Sequence, residues 1–161
     1  RRGTRLAAAR GLPFSFAHFF GNAVQGPSIV ELYRREFRPS PTLAEPLAHI
    51  AVQVLCAESP EEANWHAASL KIGRIQMARG EERSGIVSPE EAADHVFTPE
   101  EEHFLANSGM RATTGNPDEV SDELRQIAEL YGTDLLGIVT ICYDFKARLR
   151  SYELIAEKLI Q

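Results

Sequence analysis

Short apolar runs of strand length alternate along this chain with helices that open on their own capping residues. That alternation limits the available folds more than any other feature. Phe14-Ser-Phe-Ala-His-Phe-Phe20 reads as a strand, with Pro13 at its first position, where a missing N–H is tolerated. His49-Ile-Ala-Val-Gln-Val-Leu-Cys56 is nearly continuously apolar, as expected of a strand covered on both faces. Leu135-Leu-Gly-Ile-Val-Thr-Ile-Cys142 reads as a third. Helical patterns separate them. Arg5-Leu-Ala-Ala-Ala-Arg10 favours helix, with Gly11 as its C-terminal cap. After a loop over residues 21–26, Pro27 opens a helix with Ile29, Val30, Tyr33 and Phe37 on one face, and Pro39-Ser-Pro41 ends it. Ser59-Pro-Glu-Glu62 predicts a capping box and a helix reaching Gly80. Ser88-Pro-Glu-Glu91 and Thr98-Pro-Glu-Glu101 repeat that solution, but their flanks do not match, so they are not an internal repeat. Residues 107–114 read as a loop. Asn116-Pro117 then opens a helix with Val120, Leu124, Ile127 and Tyr131 on one face, closed by Gly132. A last helix from Phe145 is expected to turn Leu149, Tyr152, Ile155 and Leu159 inward.

Strand–helix alternation means parallel crossovers, hence an α/β fold in one domain over residues 1–161. With three strands it is either a small three-layer sheet or a segment of a (β/α) barrel. The hydrophobic content of 43% supports a packed core. Seventeen Lys and Arg stand against 23 Asp and Glu, a net charge of −6, which argues against a nucleic-acid partner. Arg34-Arg35 and Lys146-Ala-Arg148-Leu-Arg150 lie on amphipathic helical patterns and read as solvated faces. The two cysteines, Cys56 and Cys142, sit inside apolar runs, so they read as buried reduced thiols of a cytoplasmic protein. No run approaches the ~20 apolar residues of a membrane span, and Arg1-Arg2-Gly3-Thr4 carries no apolar leader. The start without Met, inside a helical pattern, suggests a piece of something longer.

Catalytic signatures are sparse. The chain has no dinucleotide-binding glycine motif, phosphate loop, zinc-helix motif or nucleophile elbow. His95 and His103 flank acidic residues without metal-ligand spacing and read as a solvated helix face; no metal is expected. Glu100-Glu-Glu102 complements a helix dipole. The ends of strands are where α/β sites are built, which singles out His18, Tyr143-Asp144 and Cys56. For each there is a bland reading: a packed histidine on a backbone carbonyl, a helix cap at Asp144, a core thiol at Cys56.

Several segments carry a family resemblance. Gly11-Leu-Pro-Phe-Ser-Phe-Ala-His-Phe-Phe20, Tyr33-Arg-Arg-Glu-Phe-Arg-Pro39 and Ala44-Glu-Pro46 resemble the luciferase-like flavin-dependent monooxygenases. So do Gly115-Asn-Pro-Asp-Glu-Val120, Val139-Thr-Ile-Cys-Tyr-Asp144 and Arg148-Leu-Arg-Ser-Tyr-Glu-Leu154, in the family's order. The resemblance implies the C-terminal half of a (β/α)8 barrel, with strands six to eight, since a whole barrel takes ~250 residues. It implies FMN as cofactor, with reduced flavin, oxygen and a small organic substrate. It also implies barrel-mouth positions, facing cofactor or substrate, for His18, Phe20 and Tyr143. The family holds flavin phosphate in a Gly-Ser-Ser-like loop ahead of the stretch matching Leu6-Ala-Ala8, so this chain is expected not to hold FMN alone. The alternative is a non-catalytic truncated barrel of the same descent, used for binding or association. Half a barrel exposes strand edges and its inner face, which predicts a homo-oligomer, with Phe14, Phe16, Ile50, Val52, Val54, Ile138 and Ile141 as candidates for exposure.

Overall fold

The computed structural model describes residues 2–20, 23–82 and 85–160. The Gly21–Asn22 part of the expected loop, and Arg1, lie outside the described residues. The elements run α1 (Arg2–Ala9), β1 (Phe14–Ala17), α2 (Gly26–Glu36), β2 (Ala48–Cys56), α3 (Pro60–Arg79), α4 (Pro89–Ala93), α5 (Pro99–Asn107), β3 (Thr113–Gly115), α6 (Pro117–Tyr131), β4 (Leu136–Val139) and α7 (Phe145–Leu159). The α/β alternation stands, with parallel strands β1–β2 and β2–β3, and β4 also paired to β2. Among the described residues there are four strands rather than three. Thr113–Gly115 is too short to carry a hydrophobic period, and its first two residues fall in the expected loop over 107–114; Ala57 N nonetheless donates to Gly115 O at 3.1 Å, extending its ladder with β2.

The chain forms two compact units. The first takes residues up to Val52 with Gly109–Arg111 and Arg125–Ile138. Here β1 pairs with the start of β2, Phe14 beside Ala48 and Phe16 beside Ile50. Ala8, Val30, Tyr33, Ile50 and Tyr131 are fully buried. Gly11 takes φ +61° after α1, and a Cβ there would strike Ser40 and the Arg38 carbonyl. Tyr33 ties α2 to the segments leading into β1 and β2: its hydroxyl donates to Leu12 O at 2.8 Å and accepts from Leu47 N at 3.1 Å.

The second unit takes Gln53–Ser108, Ala112–Leu124 and the chain from Val139. Its core gathers Leu55, Ala57, Ala63 and Cys142, with Ala147 packed against them. Ser59 accepts from Glu62 N, but the Glu62 carboxylate accepts from Glu58 N, so the expected capping box forms only half. At Ser88 and Thr98 both halves form. The inward residues of α7 are Ser151, Leu154 and Ile155; Leu149, Tyr152 and Leu159 point outward, against expectation. The reason is Ser151, whose small side chain accepts from Cys56 N at 2.9 Å and brings that face of α7 against β2.

The run 135–142 is strand only through Val139. Thr140 N donates to the Tyr152 hydroxyl at 3.0 Å instead of continuing a ladder. The expected exposure of Ile50, Val52 and Val54 is also overturned: all three are buried. In the first half of β2 that parity packs inward while His49 and Ala51 are half-buried, and from Val52 to Cys56 both parities are buried.

Candidate functional site

His18 follows β1 directly, and its backbone N–H still donates to Ala51 O at 2.9 Å. The ladder therefore sets its position. The side chain is 7% exposed, and its Nδ1 lies 2.9 Å from the Tyr131 hydroxyl. The two rings meet edge to face. Burial pushes the His18 basicity down, and the Arg111 charge adds to this. Burial drives the Tyr131 hydroxyl up to about 12. Both groups are therefore neutral around pH 7. Tyr131 also leans on Phe16, and Gly26 leaves the room it needs: a Cβ there would run into the Tyr131 hydroxyl and the Phe16 ring.

Phe20 lies three residues past β1, 57% exposed, with its ring against Phe19 at 4.6 Å. It shares a unit with His18. Tyr143 belongs to the other unit, 56% exposed, and stands four residues beyond β4 rather than at its end. Asp144 caps α7, accepting from Ala147 N at 2.7 Å, and that hydrogen bond holds its carboxyl below the usual range. The capping reading of Asp144 is thus borne out. So is the core reading of the cysteines: burial pushes Cys56 up to about 11 and raises Cys142 as well, which keeps both as inert thiols at neutral pH.

Sequence reasoning placed Tyr131 in the core and missed its tie to His18, which spans 113 positions of chain. It also missed a second polar pair: Ser15 Oγ lies 2.8 Å from His49 Nδ1, and the His49 ring covers Gly137, where a Cβ would displace it. The acidic cluster reads differently in the structure. Glu101 is 4% exposed, paired to Arg79 at 3.0 Å and to His95 at 3.1 Å, so it is buried at the start of α5, while His95 is half-buried and His103 exposed. Among the described residues, no three His, Cys, Asp or Glu side chains gather as a metal site needs.

No family model matches the chain. Individual relatives do. YwcH of Bacillus subtilis, itself uncharacterised, is 34% identical over 152 residues, 94% of this chain and 45% of its own. A luciferase-like monooxygenase of Escherichia coli K12 is 28% identical over 150 residues, 93% of this chain and 44% of its own. Among solved structures, apo-MsnO8 superposes with a TM-score of 0.83 at 30% identity, over 98% of this chain and 47% of its own. The oxygenating constituent of 3,6-diketocamphane monooxygenase from Pseudomonas putida, solved with FMN, shares the fold at a TM-score of 0.59 and 18% identity, over 97% of this chain and 44% of its own. The chain thus spans about half the length of the proteins it matches, and it resembles the luciferase-like monooxygenase among them.

Proposed function

We propose that this chain is the C-terminal part, one continuous stretch of barrel, of an FMN-dependent luciferase-like monooxygenase. In that chemistry reduced flavin supplies two electrons, and one atom of O2 enters a small organic substrate while the other leaves as water. The observation that carries the reading is the match of 93% of the chain to a luciferase-like monooxygenase. His18 and Phe20, and in the other unit Tyr143, face cofactor or substrate in this reading, and the buried His18–Tyr131 pair at the end of β1 supports it. The setting is cytoplasmic and the assembly a homo-oligomer. No helix among the described residues is long and apolar enough to cross a membrane.

The residues present do not fit a whole FMN. An exposed ring such as Phe20 suits a flat heterocycle. A phosphate needs free N–H groups, which helix N-termini after strands supply best. Three of those termini are closed by their own side chains: Ser59 takes Glu62 N, Asn116 takes Asp118 N and Glu119 N, and Asp144 takes Ala147 N. Among the described helices that follow a strand, α2, with Gln25 at its N-cap, lacks a side-chain cap, and one such terminus makes no phosphate site. The 161-residue chain alone is therefore without oxygenase activity in this reading. Flavin titration followed by fluorescence tests it, and a submicromolar dissociation constant for FMN would sink it. The intact mass of the protein in its native cells tests the rest. A mass well above 17.9 kDa supports an enzyme of which this is a part, and 17.9 kDa supports the non-catalytic alternative.

A further inference from the structure

We infer that Tyr131 is a positioning residue that fixes neutral His18 as the Nε2–H tautomer, making it a hydrogen-bond donor to an oxygen acceptor rather than a proton-accepting base. The inference deepens the proposed function, because it rests on His18 facing the ligand. The argument begins with the hydroxyl. Tyr131 is 1% exposed, and among the described residues its only hydrogen-bond partner is His18 Nδ1. A buried O–H that does not donate is left with its desolvation penalty unrecovered. If Nδ1 held the proton, it would donate to the phenol oxygen and leave the phenol hydrogen with no acceptor among the described residues. If Nδ1 is bare, the hydroxyl donates to it and both groups are satisfied. The ring's one remaining proton then sits on Nε2.

The surroundings keep this state. Tyr131 stays a phenol, since burial holds its proton on. His18 stays neutral, since burial and the Arg111 charge oppose a second proton. The tyrosine is itself held: its ring lies against Phe16, and the space it fills is the one Gly26 leaves open. The chemistry recognised at His18 is thus a carbonyl or anionic oxygen, and the positive charge of Arg111 favours the anionic form.

Histidine nitrogen NMR of the 15N-labelled chain tests this without any flavin, so failure of the flavin reading leaves the outcome readable. The expected spectrum at neutral pH has His18 Nε2 protonated, with Nδ1 unprotonated and shifted by an accepted hydrogen bond. In Tyr131→Phe that Nδ1 shift disappears and an Nδ1–H population emerges. A wild-type spectrum with the proton on Nδ1 overturns the inference, and so does a Tyr131→Phe spectrum in which His18 is unchanged. Where the Phe variant does not fold, the wild-type spectrum decides alone.

Discussion

At the scale of single residues, the sequence marked His18 through its place at the end of an aromatic run, and that place is where the ladder holds it. Tyr131 could not be read the same way. Its spacing with Val120, Leu124 and Ile127 marks a buried helix face, and periodicity says nothing about which buried hydroxyl meets which ring across the fold. Two predictions belong here. Gly26→Ala puts a methyl where the Tyr131 hydroxyl stands, between packed rings, so repacking should cost about 1–3 kcal/mol. Urea unfolding measures it, and a midpoint equal to wild type would mean the site has slack. The second concerns pH. The His18 pKa is lower in the folded chain than in the unfolded one, so the unfolded state binds the proton more readily. Its contribution to stability is complete above about pH 6.5 and falls as the pH drops below that. His18→Asn, whose amide oxygen can still take the tyrosine hydroxyl, should remove that slope. Equal slopes for the two proteins between pH 7 and pH 5 would rule it out.

At the scale of elements, helix ends were legible and strand ends were not. Ser or Thr, Pro, and Glu three residues after the cap satisfy N–H groups locally, so α3, α4 and α5 begin where the pattern places them. A strand ends when its partner does, which is a non-local fact: β4 stops because Thr140 N finds the Tyr152 hydroxyl. Tyr152→Phe should leave that N–H without its acceptor and cost roughly 1 kcal/mol, with faster hydrogen exchange at Thr140. Unchanged exchange there would show that water replaces the hydroxyl freely. The acidic start of α5 was legible as a cap, but its burial was not, because Arg79 comes from the far end of α3. The Thr98 N–H, then His95 and Arg79, hold the Glu101 carboxyl below the ordinary range. A depressed carboxylate stabilises the fold above its unfolded value of about 4.3, and that contribution is lost as the pH falls through the folded value. Glu101→Gln should therefore lower stability at neutral pH and flatten the acid limb of the pH profile. A variant that kept the wild-type acid limb would assign that limb to other carboxylates.

At the scale of the whole molecule, the α/β class followed from strand–helix alternation alone, but the face exposed by each strand did not. Both parities of β2 are apolar, Ile50, Val52 and Val54 on one and Ala51 and Leu55 on the other, so no alternation says which packs inward. The same ambiguity hid the outward side of α7, where two overlapping apolar stripes compete, and Ser151 with its hydrogen bond to Cys56 N decides for one. The losing stripe, Phe145, Leu149, Tyr152 and Leu159, is left exposed at helical spacing, with Arg148 over the Phe145 ring. Rows of large apolar side chains on one face are what a soluble chain buries when it can. At ~25 cal/mol per Å², covering about 800 Å² on each of two copies is ample for association at micromolar concentration, even after the entropy of docking. For the homo-oligomer proposed above, the predicted interface is α7. Sedimentation at micromolar concentration should give a mass near twice 17.9 kDa. The double variant Phe145→Asp with Leu149→Asp should return it to the single chain with little change in thermal stability, because both side chains are exposed and Tyr152 keeps its hold on Thr140. A wild-type chain that sediments as a monomer, or a double variant that still associates, would remove α7 from the interface.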